Sequence, residues 1–169
     1  MMFGNPASLA IEVGKTTTAD DGTQYVQARL IIADQPFGNW EELISLRGCA
    51  ANMKEFLKYS KLRRNPSAKD VAPEKLFAST FDAFFDYDYS SQPVLRPNLR
   101  DIYHLNEIGL GALRDQYGIV VVEVSQNLSR VVAKDLQRDQ IILDHLVETS
   151  EITSAGTQFI HWTEGNPVS

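Results

Sequence analysis

Cysteine and long apolar runs are scarce in this chain. Its 169 residues include one cysteine, Cys49, which excludes an internal disulfide and a metal site built from several thiolates. No apolar run approaches the ~20 residues that cross a bilayer. The first residues, MMFGNPASLAIEVG, lack a basic region before their short apolar stretch, so they do not resemble a secretory signal. We therefore expect a cytoplasmic protein that does not enter the membrane.

Positive charge is also in the minority. The chain has 16 Lys and Arg against 22 Asp and Glu, which gives a formal net charge of −6 and argues against a general nucleic-acid binder. Residues 52–66 are the exception, with five cations against one carboxylate. The remaining surface is therefore more acidic than the total indicates. A surface of this kind either attracts a basic partner or only keeps the protein in solution.

The local motifs of common enzymes are absent. The sequence contains no GxxxxGK[ST], HExxH or GxSxG. His104, His145 and His161 are too far apart in sequence to form a short metal-binding motif. Cys49 falls where a strand is expected to enter a helix on an apolar face, which favours a packed thiol over a nucleophile. We therefore expect no catalytic residue and predict that the protein is not an enzyme.

One partial metal motif is present. Asp86, Asp88 and Ser90 match the first three ligand positions of a calcium loop, but Ser91 replaces the glycine at the sixth position and Pro97 the glutamate at the twelfth. We therefore expect no metal site and no cofactor. A small divalent-metal-dependent enzyme that uses Asp86 and Asp88 remains the alternative.

Hydrophobic periodicity predicts the fold class. Alternation on both sides of Asp21-Gly22 predicts an N-terminal hairpin over residues 8–33, and ELISL predicts a third short strand. Helical spacing predicts helices near 49–62, 73–86 and 149–163, and β-branched runs predict C-terminal strands near 118–147. Short turns between strands favour a largely antiparallel sheet packed by about three helices, in a single α+β domain.

The segment FDAFFDYDYSS, residues 81–91, is called here the acidic-aromatic segment. A helix there would stack Asp82 on Asp86 near its C-terminus, where like charges and carboxylates are both unfavourable. Residues that are unfavourable for local stability in this way are enriched at functional sites. We predict partner-binding residues here, namely Asp82, Asp86, Tyr87, Asp88 and Tyr89. The alternative is that the aspartates are merely solvated and the tyrosines cover the edge of the core.

Two further predictions accompany this segment. Trp40, Glu41 and Glu42 repeat its chemistry on a smaller scale, so we add them to the predicted binding surface. In the helix itself, the 3.6-residue period predicts that Phe77, Phe81 and Phe84 are buried.

The opening of the chain resembles that of a known family. Met2-Phe3-Gly4-Asn5-Pro6, followed by Leu9-Ala10-Ile11, is similar to the M-x-G-[ND]-P…A-I opening of bacterial immunity proteins of the immunity protein 42 family. The specific similarity covers about ten residues, and a looser pattern of hairpin, strand and helix extends to residue 62.

This resemblance implies a function. Such proteins are encoded beside polymorphic or contact-dependent-inhibition toxins and neutralise them by binding. The implied partner is a cognate toxin domain. From the acidic surface of this chain we expect that domain to be basic, as a nuclease is, and we expect this chain to make no direct contact with nucleic acid. The resemblance implies no catalytic residues, and it leaves the stoichiometry and the oligomeric state open. From the residues alone, an assembly or adaptor subunit remains a further alternative.

Overall fold

The N-terminal third of the chain forms an antiparallel sheet. The computed structural model describes residues 1–82, 103–105 and 116–165. The sheet has five strands: β1 (Met2–Asn5), β2 (Leu9–Thr18), β3 (Gln24–Ile32), β4 (Gln35–Phe37) and β5 (Leu43–Ser45). They are ordered β1-β2-β3-β4, and β5 pairs with the first half of β3 beside β4. This first sheet carries one of the predicted binding loops, between β4 and β5.

The hairpin of β2 and β3 follows from local sequence. Val13 and Ala28 lie opposite each other and are buried, as are Ile11 and Leu30. Between the strands Gly22 has a φ of +83°, a conformation that glycine adopts without steric cost. The structure also contains β1 and β4, which the sequence did not predict. Both are short strands, and β1 is held by pairing with β2.

A second antiparallel sheet contains β6 (Tyr117–Glu123), β7 (Leu128–Asp135) and β8 (Gln140–Glu148), in that order. Both faces of β6 are buried: Ile119 and Val121 contribute to one hydrophobic cluster, Val120 and Val122 to another. A strand buried on both faces has a continuous apolar run instead of an alternating one, which explains the sequence GIVVVEV.

Within the described residues, three α-helices pack on these sheets: α1 (Leu46–Lys58), α2 (Pro73–Phe77) and α3 (Thr149–Gly165). Helix α1 begins earlier than predicted because Ser45 Oγ accepts a hydrogen bond from the Gly48 amide at 3.2 Å and caps the helix. After Lys58 the chain turns into a 3₁₀ helix over Ser60–Arg63. Antiparallel sheets with three helices confirm the predicted α+β class.

The helix predicted over 73–86 differs from the observed structure. Its α-helical part ends at Phe77 and continues as a π-helical turn over Ala78–Asp82. The hydroxyl groups of Ser79 and Thr80 both donate to the Leu76 carbonyl, at 3.0 and 2.8 Å. Such side-chain bonds compete with regular helical pairing. The remainder of the predicted helix, Phe84 included, lies outside the described residues.

Two hydrophobic cores share the second sheet. The larger core joins the first sheet, α1, α3 and one face of the second sheet, through residues such as Leu30, Met53, Ile119 and Phe159. The smaller core joins α2 and the π-helical turn to the other face. Phe77 and Phe81 are buried in it, which confirms the prediction for these two residues.

Two buried arginines fix the segment between α1 and α2 to the second sheet. Arg130 on β7 makes two 2.7 Å contacts to Asp144 and donates to the carbonyls of Ala68, Lys69 and Val71. Arg63 donates to the Phe56 carbonyl at 2.5 Å and lies 3.8 Å from Glu123. Charged donors saturate carbonyl groups that no regular secondary structure pairs. We call these contacts the arginine clamps.

The Arg130 clamp should contribute strongly to stability. We expect Arg130→Met to lower the free energy of unfolding by about 3 kcal/mol, because three carbonyls and a carboxylate lose a charged donor. Urea unfolding followed by circular dichroism measures the change. The control is Arg138→Met, since the Arg138 side chain is 79% exposed. Its replacement should lower the free energy of unfolding by less than ~0.5 kcal/mol. Equal effects at the two positions would show that the clamp is not a specific source of stability.

Candidate functional site

The loop between β4 and β5 presents three of the predicted binding residues. We call residues 38–42 the Trp40 loop. Its turn is organised by Asn39, whose side-chain oxygen accepts from the Glu41 amide at 3.0 Å and whose carbonyl accepts from the Glu42 amide at 3.3 Å. Asparagine stabilises such turns by bonding to the backbone two residues on. As a result Glu41 is exposed, while Trp40 and Glu42 are half-buried.

The Trp40 ring is held against the first sheet. A Cβ atom on Gly14 would lie 2.7 Å from the ring, so the glycine allows the indole to lie directly on the β2 backbone. The Arg29 guanidinium lies 4.6 Å from the centre of the ring, within the range of a cation–π contact. Glu12 in turn pairs with Arg29 at 2.6 Å. These contacts fix the indole on the surface as a pre-organised aromatic group.

Sequence reasoning missed Gly14 and Arg29 as partners of Trp40. The alternation in β3 does place Gln27 and Arg29 on the face opposite Ala28 and Leu30, so the signal for an exposed Arg29 was present. The sequence does not show the strand register of the first sheet, which places the Trp40 loop on this face.

The part of the chain that contains the Trp40 loop is predominantly acidic. Residues 1–45 contain six carboxylates and two cations, and one of those cations, Arg29, is paired with Glu12. Within the described part of the chain, Asp34 and Glu41 make no ion pair. Bonds from the backbone and side chain of Thr23 lower the pKa of Asp21, so this carboxylate is ionised at neutral pH. The first sheet and its loops therefore carry more negative than positive charge, with Asp21 and Asp34 at opposite ends of β3.

The other predicted binding residues are only partly covered by the structure. The acidic-aromatic segment begins at Phe81, whose ring stacks on Phe77 and on His104 at centroid distances of 4.7 and 4.5 Å. His104 is buried and hydrogen-bonded to the Thr80 carbonyl at 3.1 Å. The base of the segment is thus anchored in the smaller core.

Five predicted binding residues lie at or beyond that base. The backbone of Asp82 ends the π-helical turn, while Asp86, Tyr87, Asp88 and Tyr89 lie outside the described residues. Their placement relative to the Trp40 loop therefore stays a prediction.

In the described part of the chain, the surroundings of the potentially reactive side chains favour structural roles. Burial raises the pKa of the Cys49 thiol to about 12, which leaves a negligible fraction of the nucleophilic thiolate at neutral pH. Among the residues that the structure describes, no three His, Cys, Asp or Glu side chains converge as metal ligands. No helix in this part of the chain is both long and apolar enough to cross a membrane.

Trp40 provides a direct test of the loop geometry. We expect Gly14→Ala to displace the indole, since the new methyl group would overlap the ring, at a cost of about 1–3 kcal/mol in stability. The indole N–H signal of Trp40 in a ¹H–¹⁵N spectrum should shift, while that of Trp162, which packs against Phe3 and Phe159, should not.

The matched control for this substitution is Gly165→Ala, because a Cβ atom there meets nothing within 4 Å. It should leave both indole signals in place. An unchanged Trp40 signal in Gly14→Ala would contradict the close approach of the ring to β2.

Comparisons with known proteins identify the fold and the family of the chain. The chain has the fold of the crystal structure of CdiI from Burkholderia dolosa AUO158, with a TM-score of 0.68, 14% sequence identity, and coverage of 96% of this chain and 99% of that chain. No curated protein sequence matches it. The family model for immunity protein 42 matches residues 1–162, nearly the whole length. The chain therefore belongs to the immunity protein 42 family.

Proposed function

We propose that this protein acts in the bacterial cytoplasm, where it binds a cognate toxin domain and neutralises it without catalysis. Membership of an immunity family over residues 1–162 supports the neutralising role. The similarity in fold to CdiI supports a role in contact-dependent growth inhibition or a related polymorphic toxin system. The observation that carries the mode of action is the Trp40 loop, where a fixed indole lies beside the exposed carboxylate of Glu41.

The proposed binding surface joins the Trp40 loop to the acidic-aromatic segment. Its residues are Trp40, Glu41, Glu42, Asp82, Asp86, Tyr87, Asp88 and Tyr89. Tryptophan and tyrosine supply contact area at little entropic cost, and they are enriched at interfaces. Carboxylates around them form charge-assisted hydrogen bonds with Arg and Lys of a partner.

The proposed partner is a toxin domain with a basic surface, of which a nuclease is the clearest example. A nuclease must attract a polyanion, so the surface around its active site is positive. An acidic protein surface then accelerates association and opposes binding to nucleic acid itself. The formal charge of −6 on this chain fits such a partner.

Neutralisation by binding predicts a stoichiometric effect. Co-expression with the neighbouring toxin gene should restore growth. In vitro, residual toxin activity should fall linearly to zero at a fixed molar ratio, and longer incubation should not shift that ratio. If substoichiometric protein inactivates the toxin progressively with time, the protein acts as an enzyme. If it gives no protection at any ratio, the proposed function is wrong.

Charge reversal tests the proposed surface. We expect Glu41→Lys with Glu42→Lys, and separately Asp86→Lys with Asp88→Lys, to weaken toxin binding by about 2–5 kcal/mol, because attraction to a basic partner becomes repulsion. Calorimetric titration gives the dissociation constants, and circular dichroism checks the fold.

The control for these variants is Glu74→Lys with Glu148→Lys, which makes the same change in net charge at exposed positions that are not among the proposed binding residues. It should bind nearly as the unaltered protein does. A pair whose reversal leaves affinity unchanged does not belong to the interface.

A further inference from the structure

The residues between α1 and α2 contain a cluster of exposed cations. We call residues 58–69 the basic segment. Lys61, Arg64 and Lys69 are all exposed there, and within the described residues none of them forms an ion pair. Lys58 is also exposed but pairs with Glu55 at 3.1 Å. Three exposed cations within nine residues contrast with the net negative charge of the rest of the protein.

The backbone under these cations is fixed by the arginine clamps. Arg63 is buried next to Glu123, and the neighbouring Asn65 amide donates to the Glu123 carbonyl at 2.8 Å. Arg130 donates to the Lys69 carbonyl at 3.3 Å. The cations are therefore displayed from a rigid backbone, which lowers the entropy lost on binding a partner.

An apolar side chain lies among these cations. Leu62 is 51% exposed, and among the large hydrophobic residues of the described chain only Met1 is more accessible to solvent. A leucine flanked by Lys61 and Arg64 resembles the centre of a protein interface with a polar rim. A phosphate backbone offers no apolar group to cover the leucine, and a chain of formal charge −6 repels nucleic acid as a whole.

We propose that the basic segment is a second docking surface, which binds an acidic, partly apolar segment of the toxin domain. This inference rests on the proposed function. The toxin would then carry both signs of charge, with its basic surface toward the Trp40 loop and acidic-aromatic segment and its acidic surface toward the basic segment. Two complementary contacts of opposite sign fix the orientation of a partner and reject proteins that carry only one sign.

The test is charge reversal of the basic segment in the full-length protein. We expect Lys61→Glu, Arg64→Glu and Lys69→Glu together to raise the dissociation constant for the cognate toxin domain by about tenfold or more, since three attractions become repulsions. Leu62→Ser should also weaken binding. Calorimetry at two salt concentrations should show a steeper salt dependence for the unaltered protein than for the triple variant.

The matched control is Arg47→Glu, Lys75→Glu and Arg138→Glu, three exposed cations outside the basic segment. It should change the affinity by less than about threefold. If the triple reversal of the basic segment fails to fold, the neutral set Lys61→Gln, Arg64→Gln and Lys69→Gln replaces it and should still weaken binding.

The outcomes separate this inference from the proposed function. Unaltered protein that binds the toxin, together with a basic-segment variant that binds equally well, overturns this inference alone. Unaltered protein that does not bind the toxin overturns both. A fluorescent 20-nucleotide RNA that binds the unaltered protein and is released by the triple reversal, while toxin binding is unchanged, would assign the basic segment to nucleic acid and overturn the inference.

Discussion

The architecture depends on a sheet whose two faces must both be covered. The first sheet and two helices cover one face, while α2, the π-helical turn and the irregular chain between α1 and α2 cover the other. Short 3₁₀ turns leave many carbonyls without helical partners, and Arg130 saturates three of them while it pairs with Asp144. Burial lowers the pKa of the second clamp residue, Arg63, to about 10, so it keeps its charge at neutral pH. The same clamps fix the backbone of the basic segment.

The sequence predicted those parts of the fold that depend on local patterns. The hairpin follows from alternation around Asp21-Gly22, and the second sheet follows from its β-branched runs. The buried state of Phe77 and Phe81 follows from helical spacing alone. The binding role of Trp40 and Glu41 stays a prediction from their chemistry, since an aromatic residue beside carboxylates is suited to a basic partner.

The features that escaped prediction depend on contacts between distant residues. Strand β1 has four residues and no alternating pattern, and it exists because it pairs with β2. The contact of Trp40 with Arg29 and Gly14 requires the register of the first sheet. No local pattern indicates these relations, because each is decided by packing between segments.

The central claim is that the Trp40 loop is part of the surface that binds the toxin. A crystal structure of the protein with its cognate toxin domain tests this claim most directly. It should show the Trp40 ring covered by the toxin and the carboxylates of Glu41 and Glu42 within about 3 Å of Arg or Lys side chains. A complex in which this loop remains open to solvent, while the toxin occupies another face, would contradict the account.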